Sequence, residues 1–178
     1  TKAMAGHSDV LCGHVASRDT TLINQIRTYR RLGGAIVSPF DAWLLHRGLE
    51  TLELRVSRAN QNALAVAKML NSHPLVQSTR FPGLPHDASH AVASRQMREY
   101  GPIVSFTLQD RQFAEKFINN NELAVPATSF GGAHTSAECR IRWGDKVTDG
   151  FIRLACGIEP TEDLVNATEN ALRELGSE

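Results

Sequence analysis

Residues 38–74 read S-P-F-D-A-W-L-L-H-R-G-L-E-T-L-E-L-R-V-S-R-A-N-Q-N-A-L-A-V-A-K-M-L-N-S-H-P, and this stretch decides the fold. Ser38 can cap a helix, Pro39 suits the first helical position, and Asp41 can reach back in a capping-box arrangement. Apolar residues then recur every three or four positions, at Leu45, Leu49, Leu52, Val56, Ala59, Ala63, Val66 and Leu70. The pattern predicts one long helix that ends before His73-Pro74 and bridges two lobes.

Shorter elements lie on both sides of this helix. Loose alternation of apolar residues predicts strands or extended segments at 9–16, 76–81, 103–108, 123–125 and 151–155. Helical spacing, capping residues and stop signals predict helices at 21–32, at 87–100, directly after Asp110, and at 161–175. Because helices separate the short strands one by one, the expected fold class is α/β, with helices on one face of a small sheet.

Composition limits the classes of function. The chain has 178 residues, of which 42% are hydrophobic and 21% charged, so it can bury a sizeable core. Nineteen basic residues balance nineteen acidic ones, which leaves no net field to attract a nucleic acid or an anionic membrane surface. Apolar runs stay below the roughly 18 residues of a membrane span, and the start lacks the order of a signal peptide. We expect a soluble protein whose partner is a small molecule or another subunit.

The cysteines and histidines give no sign of a metal site. Cys12, Cys139 and Cys156 are odd in number and never form C-x-x-C, which argues against a disulfide framework and a structural zinc site. The seven histidines form neither H-E-x-x-H nor a close cluster with cysteine. We expect no metal, and a reducing, cytoplasmic setting.

Two cationic residues are candidates for chemistry. Lys2 lies among small and apolar neighbours, and a partly desolvated lysine can form a Schiff base or move protons. The alternative is a solvated terminal charge. Arg153 lies in an otherwise apolar predicted strand, where its planar fork could bind a carboxylate through two parallel hydrogen bonds. Its alternative is a surface arginine on an edge strand. Arg47 and Arg55, on the long helix, are assigned no catalytic role.

Three blocks of the sequence carry a family resemblance. The first is T-K-A-M-A-G-H-S-D-V at residues 1–10, and the second runs from Gly34-Ala35 through Arg47-Gly48-Leu49 and Thr51-Leu52 to Arg55. The third combines A-T-S-F-G-G at 127–132 with F-I-R-L-A-C-G-I-E at 151–159. These blocks resemble the cofactor-lysine signature, the long-helix segment and the S-L-G-G and R-L-S-x-G-x-E motifs of the transsulfuration family of pyridoxal-phosphate enzymes.

The resemblance implies a fold-type-I, aspartate-aminotransferase-like architecture. Residues 1–60 would be the end of the large cofactor-binding domain with the start of the interdomain helix, and residues 61–178 the small carboxy-terminal α/β domain. By position, Lys2 would hold pyridoxal 5'-phosphate, Thr1 would bind its phosphate, and Arg153 with Ser129 would receive the substrate α-carboxylate. The remaining cofactor contacts would precede Thr1, where the front of the chain looks cut, so this segment alone should be inactive. The family also implies a homotetramer.

The implied reaction is γ-elimination of cystathionine to cysteine, 2-oxobutanoate and ammonia. Cystathionine γ-synthase-type replacement and methionine γ-lyase activity remain open, because lyase and synthase chemistry share these residues. Many relatives carry a glutamate two positions after the paired glycines, where this chain has His134, and this departure leaves the choice of sulfur amino acid substrate open. A noncatalytic α/β oligomerisation domain, with Lys2 and Arg153 as surface charges, is the alternative from another class.

Overall fold

Helices and strands alternate along the computed structural model, which describes residues 1–176. The helices are α1 (Thr20–Gly33), α2 (Pro39–Leu49), α3 (Leu52–Ser72), α4 (His90–Gln96), α5 (Arg111–Asn120) and α6 (Thr161–Leu175). The strands are β1 (Ser78–Arg80), β2 (Ile103–Thr107), β3 (Val125–Pro126), β4 (Ser136–Cys139) and β5 (Phe151–Ala155), and a short 3-10 helix spans Arg140–Trp143. The predicted α/β class is confirmed.

Short polar residues begin three of these helices: Ser38 and Asp110 were predicted as capping residues, and Asp19 was predicted only as part of a turn. Asp19 accepts hydrogen bonds from the backbone N–H groups of Thr21 and Leu22 at the start of α1. Ser38 accepts from the Asp41 N–H at 3.0 Å, and its own hydroxyl donates to the Asp41 carboxylate at 2.8 Å. Asp110 caps α5 in the same manner. Short polar side chains thus satisfy backbone donors that the first helical turn leaves without partners.

The predicted single long helix is wrong, because it is interrupted between α2 and α3. A continuous helix would give the carbonyl of Gly48 to the N–H of Leu52. That carbonyl instead accepts from Nη2 of Arg55, while Glu50 closes α2 through a bond to the Arg47 carbonyl. The apolar stripe crosses the break without change, so periodicity alone could not reveal it.

The strands form one five-stranded sheet in the order β1-β2-β5-β4-β3. The pairs β1–β2, β2–β5 and β5–β4 are antiparallel, whereas β4 and β3 are parallel. In this register Arg153 of β5 lies directly between Ser105 of β2 and Glu138 of β4. Directly opposed residues point to the same face, so these three side chains share one side of the sheet.

The core lies between the other face of the sheet and the helices α3, α5 and α6. Val104 and Phe106 of β2 and Ile152 and Leu154 of β5 are fully buried, and the Phe106 ring packs edge-on against Phe117 of α5 at 5.2 Å. Each such side chain contributes about 1.5–3 kcal/mol when it is removed from water. The alternation of buried and partly exposed residues along β2 and β5 confirms the predicted one-sided sheet.

Two other predicted elements differ from the structure. The strand predicted at 9–16 is not formed, because a strand needs a neighbouring ladder, and the backbone of Cys12 bonds the Thr1 hydroxyl instead. The helix predicted at 87–100 is shorter, because Asp87 binds the N–H groups of Phe81 and Ser89 and holds a turn before α4. The strand β4 carried no clear sequence signal.

Apolar side chains remain exposed along the first third of the chain. No residue of α1 is buried, and the core cluster begins only at Ala63 within α3. The large exposed apolar side chains before residue 55 are Leu11, Val15, Leu22, Tyr29, Leu32, Ile36, Val37, Phe40, Trp43, Leu49 and Leu54. An apolar surface of this extent is typical of a region that packs against other protein. Across residues 1–176, no helix is long and apolar enough to cross a bilayer.

Replacing Asp87 by asparagine is expected to destabilise the α/β domain by about 1–3 kcal/mol, because its buried carboxylate accepts from Arg80, Phe81 and Ser89. Burial raises the pKa of Asp87, but the bond from Ser89 and the bond and charge of Arg80 lower it below its ordinary value overall. A carboxyl whose folded pKa is lowered stabilises the fold above its unfolded pKa, and this contribution is lost as the pH falls through the folded pKa.

Urea unfolding of the two proteins measures this difference at neutral pH and below about pH 4, the ordinary range of an aspartate. The gap in unfolding free energy should narrow at the lower pH, where the native carboxyl also becomes neutral. A difference in unfolding free energy that stays constant with pH would contradict a stabilising role for the negative charge of Asp87.

Candidate functional site

Lys2 lies in a tight backbone turn at the start of the chain. The N–H of Gly6 donates to the Lys2 carbonyl at 2.9 Å, and Gly6 adopts a left-handed φ of +76°. The Lys2 side chain is exposed, in contrast to the partial desolvation that its neighbours predicted. Among residues 1–176 it has no hydrogen-bond or ion-pair partner, so its amine is available to a ligand.

Arg55 of α3 holds this turn from behind. Its Nη1 donates to the Ala3 carbonyl at 2.8 Å, its Nη2 to the Gly48 carbonyl, and its Nε to the Thr51 hydroxyl at 3.0 Å. The guanidinium is buried, and burial lowers its pKa from the ordinary value. This buried cation donates hydrogen bonds both to Ala3, the residue after Lys2, and to the α2–α3 break. It therefore fixes the Lys2 turn and the break relative to each other. Sequence reasoning assigned Arg55 no role, although its place in the second block was the available signal.

Glycines allow the close approach on both sides of the turn. A Cβ on Gly48 would lie 2.4 Å from the Ala5 carbonyl oxygen, and one on Gly131 would lie 2.8 Å from the Ala3 nitrogen. Side chains cannot occupy these positions unless backbone moves. The Lys2 turn is therefore enclosed between α2, α3 and the loop at residues 129–135, which carries the third family motif.

Replacing Gly48 by alanine is expected to displace the Lys2 turn and to lower the melting temperature, with a cost of about 1–3 kcal/mol from overpacking against rigid backbone. Gly176→Ala is the matched control, because the nearest atom to its added Cβ would be at 3.6 Å and its φ is ordinary. Thermal unfolding of the two variants side by side measures the difference. Equal melting temperatures would show that the Lys2 turn can be displaced at little cost in unfolding free energy.

The Phe130 ring joins the two predicted catalytic regions. Nζ of Lys2 lies 5.3 Å from the ring centroid, and Cζ of Arg153 lies 5.1 Å from the same centroid. Both cations are within the range at which the ring quadrupole attracts them. The two groups cannot be farther apart than these two distances combined, so one small ligand can reach both. The sequence resemblance aligned Phe130 with the leucine of S-L-G-G and assigned it no function.

Arg153 lies on the central strand β5 rather than on a sheet edge. Its Nη2 donates to Oε2 of Glu138 at 2.9 Å and to the Thr128 carbonyl, and its side chain is 18% exposed. Within the described chain, Nη1 and Nε have no hydrogen-bond partner. One part of the fork is thus held by the protein, and the rest is free for an anion.

The loop at 129–135 is anchored to the end of β5. The carboxylate of Glu159 accepts from the N–H and the hydroxyl of Thr135 at 2.6 and 2.9 Å, and Thr135 in turn accepts from the Gly157 N–H. Ser129 and His134 of this loop line one small cleft, together with Ser8 and Phe130. Phe130 therefore connects this cleft, which Ser129 lines, to Lys2 and Arg153, and His134 is exposed at the rim of the cleft.

The Thr1 hydroxyl already has two hydrogen-bond partners within the chain. Its hydroxyl donates to the Cys12 carbonyl at 2.8 Å and accepts from the Cys12 N–H at 2.7 Å. To donate to a phosphate, this hydroxyl would have to exchange its carbonyl partner. The predicted phosphate contact of Thr1 therefore stays a prediction.

The fold and the site define an α/β protein that presents a free amine and a partly free guanidinium to one ligand. The profile of the Cys/Met metabolism PLP-dependent enzyme family matches residues 1–173. The chain belongs to that family, and the predicted dependence on pyridoxal phosphate is confirmed with it. Among residues 1–176, the Lys2 amine has no hydrogen-bond or ion-pair partner and the Arg153 guanidinium is only partly bonded, and both contact the Phe130 ring. This pair of groups fits a cofactor that is joined to lysine and accepts amino acids.

Individual relatives agree with this assignment. A Streptomyces coelicolor protein provisionally named a cystathionine gamma-lyase is 49% identical over 98% of this chain and 45% of its own length. Cystathionine gamma-synthase of Mycobacterium tuberculosis is 38% identical over 97% of this chain and 47% of its own. The crystal structure of a methionine gamma lyase from Micromonospora echinospora superimposes with a TM-score of 0.91 at 37% identity, over 96% of this chain and 46% of the other. The chain thus spans about half the length of these relatives.

Proposed function

We propose that the protein containing this chain catalyses γ-elimination of cystathionine with pyridoxal phosphate. The products would be cysteine, 2-oxobutanoate and ammonia, with one water consumed. The observation that carries the proposal is the contact of Lys2 and Arg153 with one ring in a chain of this family. The 49% identity to a relative named for this activity favours it over the other sulfur amino acid reactions.

Lys2 is proposed as the residue that binds the cofactor and then moves protons. Once the substrate amine has replaced it, the free Nζ can take the proton from the α carbon and return protons to the carbon skeleton. The bound cofactor supplies an electron sink for the substrate carbons. Loss of the thiol from the γ carbon, as cysteine, breaks the carbon–sulfur bond.

Arg153 is proposed to orient the substrate. Its unpartnered Nη1 and Nε can bind the α-carboxylate, and a fixed carboxylate sets the α carbon–hydrogen bond in reach of Lys2. Ser129 precedes the paired glycines on the same loop and would contribute a further hydrogen bond to the carboxylate. His134 at the rim would meet the distal end of the substrate.

The assembly is part of the same proposal. Residues 1–60 would complete a large cofactor-binding domain and residues 61–178 would form the small domain, with the protein as a homotetramer. The exposed apolar surface before residue 55 supports packing of this region against further protein.

The deciding experiment supplies the intact protein with pyridoxal phosphate and cystathionine and identifies the products. Formation of 2-oxobutanoate with cysteine supports γ-elimination, whereas pyruvate with homocysteine would indicate β-elimination. Incorporation of an added thiol in place of keto-acid formation would indicate a synthase. Methionine, tested separately, distinguishes a methionine γ-lyase, which would release methanethiol.

If the cofactor-loaded protein turns over none of these substrates, the noncatalytic oligomerisation domain is the hypothesis that remains. In that case the measured subunit number would become the property to explain.

A further inference from the structure

The side chain of Glu138 connects Arg153 to a second arginine. Oε2 of Glu138 accepts from Nη2 of Arg153 at 2.9 Å and from Nη1 of Arg140 at 2.7 Å. Arg140 also binds Oδ2 of Asp145 through Nε at 2.7 Å. Four charged side chains of alternating sign are therefore connected in a row, in the order Arg153, Glu138, Arg140, Asp145.

Glu138 is the most buried member of this chain of charges. Its side chain is 6% exposed, compared with 23% for Arg140 and 39% for Asp145. Its Oε1 is buried and has no partner among residues 1–176. A carboxylate in this position has to be compensated by its two arginines, because water reaches it poorly.

The charge balance around Arg153 depends on Arg140. With both arginines present, the single negative charge of Glu138 is shared between Arg140 and Arg153. The positive charge of Arg153 is then only partly neutralised and can still attract an incoming anion. Without Arg140, Glu138 would pair with Arg153 alone, and its full charge would oppose a substrate carboxylate at the same guanidinium.

We propose that Arg140 is a positioning residue that sets the affinity of Arg153 for the substrate carboxylate by occupying Glu138. The inference rests on the proposed role of Arg153.

Equilibrium binding of glycine, compared with glycine methyl ester, isolates the carboxylate without turnover of a sulfur substrate. Both ligands have the amine that meets the cofactor, and only glycine has the anion for Arg153. Titration of the intact, cofactor-loaded protein, followed by the absorbance of the bound cofactor, gives both dissociation constants.

Arg140→Met should weaken glycine binding about tenfold, equal to about 1.4 kcal/mol, and should leave binding of the ester unchanged. Arg140→Lys, which keeps the charge, should recover most of the affinity. The double variant Glu138→Gln with Arg140→Met should also recover it, because the unbalanced carboxylate is removed. Arg142→Met is the matched control, since Nε of this exposed neighbour lies 3.7 Å from Oε1 of Glu115, and within residues 1–176 Arg142 makes no hydrogen bond or ion pair with Glu138.

Equal weakening of glycine and ester, or no weakening of glycine, would overturn the inference, as would a double variant that binds no better than Arg140→Met. Should Arg140→Met fail to fold, Arg140→Lys and the double variant still test it, because both are expected to bind glycine nearly as the native protein does. Arg153→Met distinguishes the proposed carboxylate site at Arg153 from its proposed support by Arg140. If Arg153→Met weakens only glycine and Arg140→Met does not, the carboxylate site stands and the support by Arg140 fails.

Discussion

Lys2→Ala is expected to lower turnover by at least about a thousandfold and to leave the protein without covalently held cofactor. The amine has two proposed tasks, binding the cofactor and moving protons, and alanine can perform neither. Lys2 has no hydrogen-bond or ion-pair partner among the described residues, so its loss should hardly change stability. Borohydride reduction followed by peptide mass analysis measures the linkage directly.

Lys68→Ala is the control for this experiment, because Lys68 is an exposed lysine on α3. It should keep the cofactor absorbance and the reduced adduct on the peptide that contains Lys2. An adduct on another lysine, or full turnover by Lys2→Ala, would refute the assignment of Lys2.

Arg153→Met is expected to lower kcat/KM for the sulfur amino acid about a hundredfold, mainly through a higher KM. Loss of one partner from a buried charge-assisted pair costs about 2–5 kcal/mol, and among residues 1–176 only Nη2 of the guanidinium is bonded, which leaves Nη1 and Nε for the proposed carboxylate contact. Because the carboxylate is bound both before and during the reaction, removal of its partner should change KM more than kcat. Steady-state kinetics over a wide substrate range measures both constants.

Arg153→Lys tests the geometry of the fork separately from its charge. A lysine offers one point charge instead of a planar pair of donors, so it should recover only part of kcat/KM. Arg98→Met, a change at an exposed arginine, should leave both constants unchanged. Full activity in Arg153→Lys would mean that charge alone is enough.

Local signals in the sequence were sufficient where apolar periodicity and the end signals of an element agree. Strand Phe151–Ala155 and helix Thr161–Leu175 have the predicted bounds, because apolar periodicity and the start and stop signals agree there. The interruption at Glu50–Thr51 could not be predicted in this way. It depends on the carbonyl of Gly48 turning to the side chain of Arg55, which no backbone periodicity encodes, and on Ala5 approaching Gly48 from a distant part of the chain.

The same distinction applies to the site. Lys2, Ser129 and Arg153 were named through motifs, since each lies in a short segment that resembles the family. Arg55, Phe130 and Glu138 were missed as parts of the site, because their importance comes from partners on other elements. Glu138 meets Arg153 only through the β4–β5 register, and β4 itself had no clear sequence signal.

The exposed apolar side chains before residue 55 make the isolated chain an amphiphile. One end has a closed core that water cannot enter, and the other presents Tyr29, Leu32 and Trp43 to solvent. Such a molecule lowers its free energy by adsorbing to interfaces or clustering with its own kind. The colloidal behaviour of this chain on its own, namely its critical concentration for clustering and its affinity for apolar dyes, would therefore report how much apolar area these side chains expose to solvent.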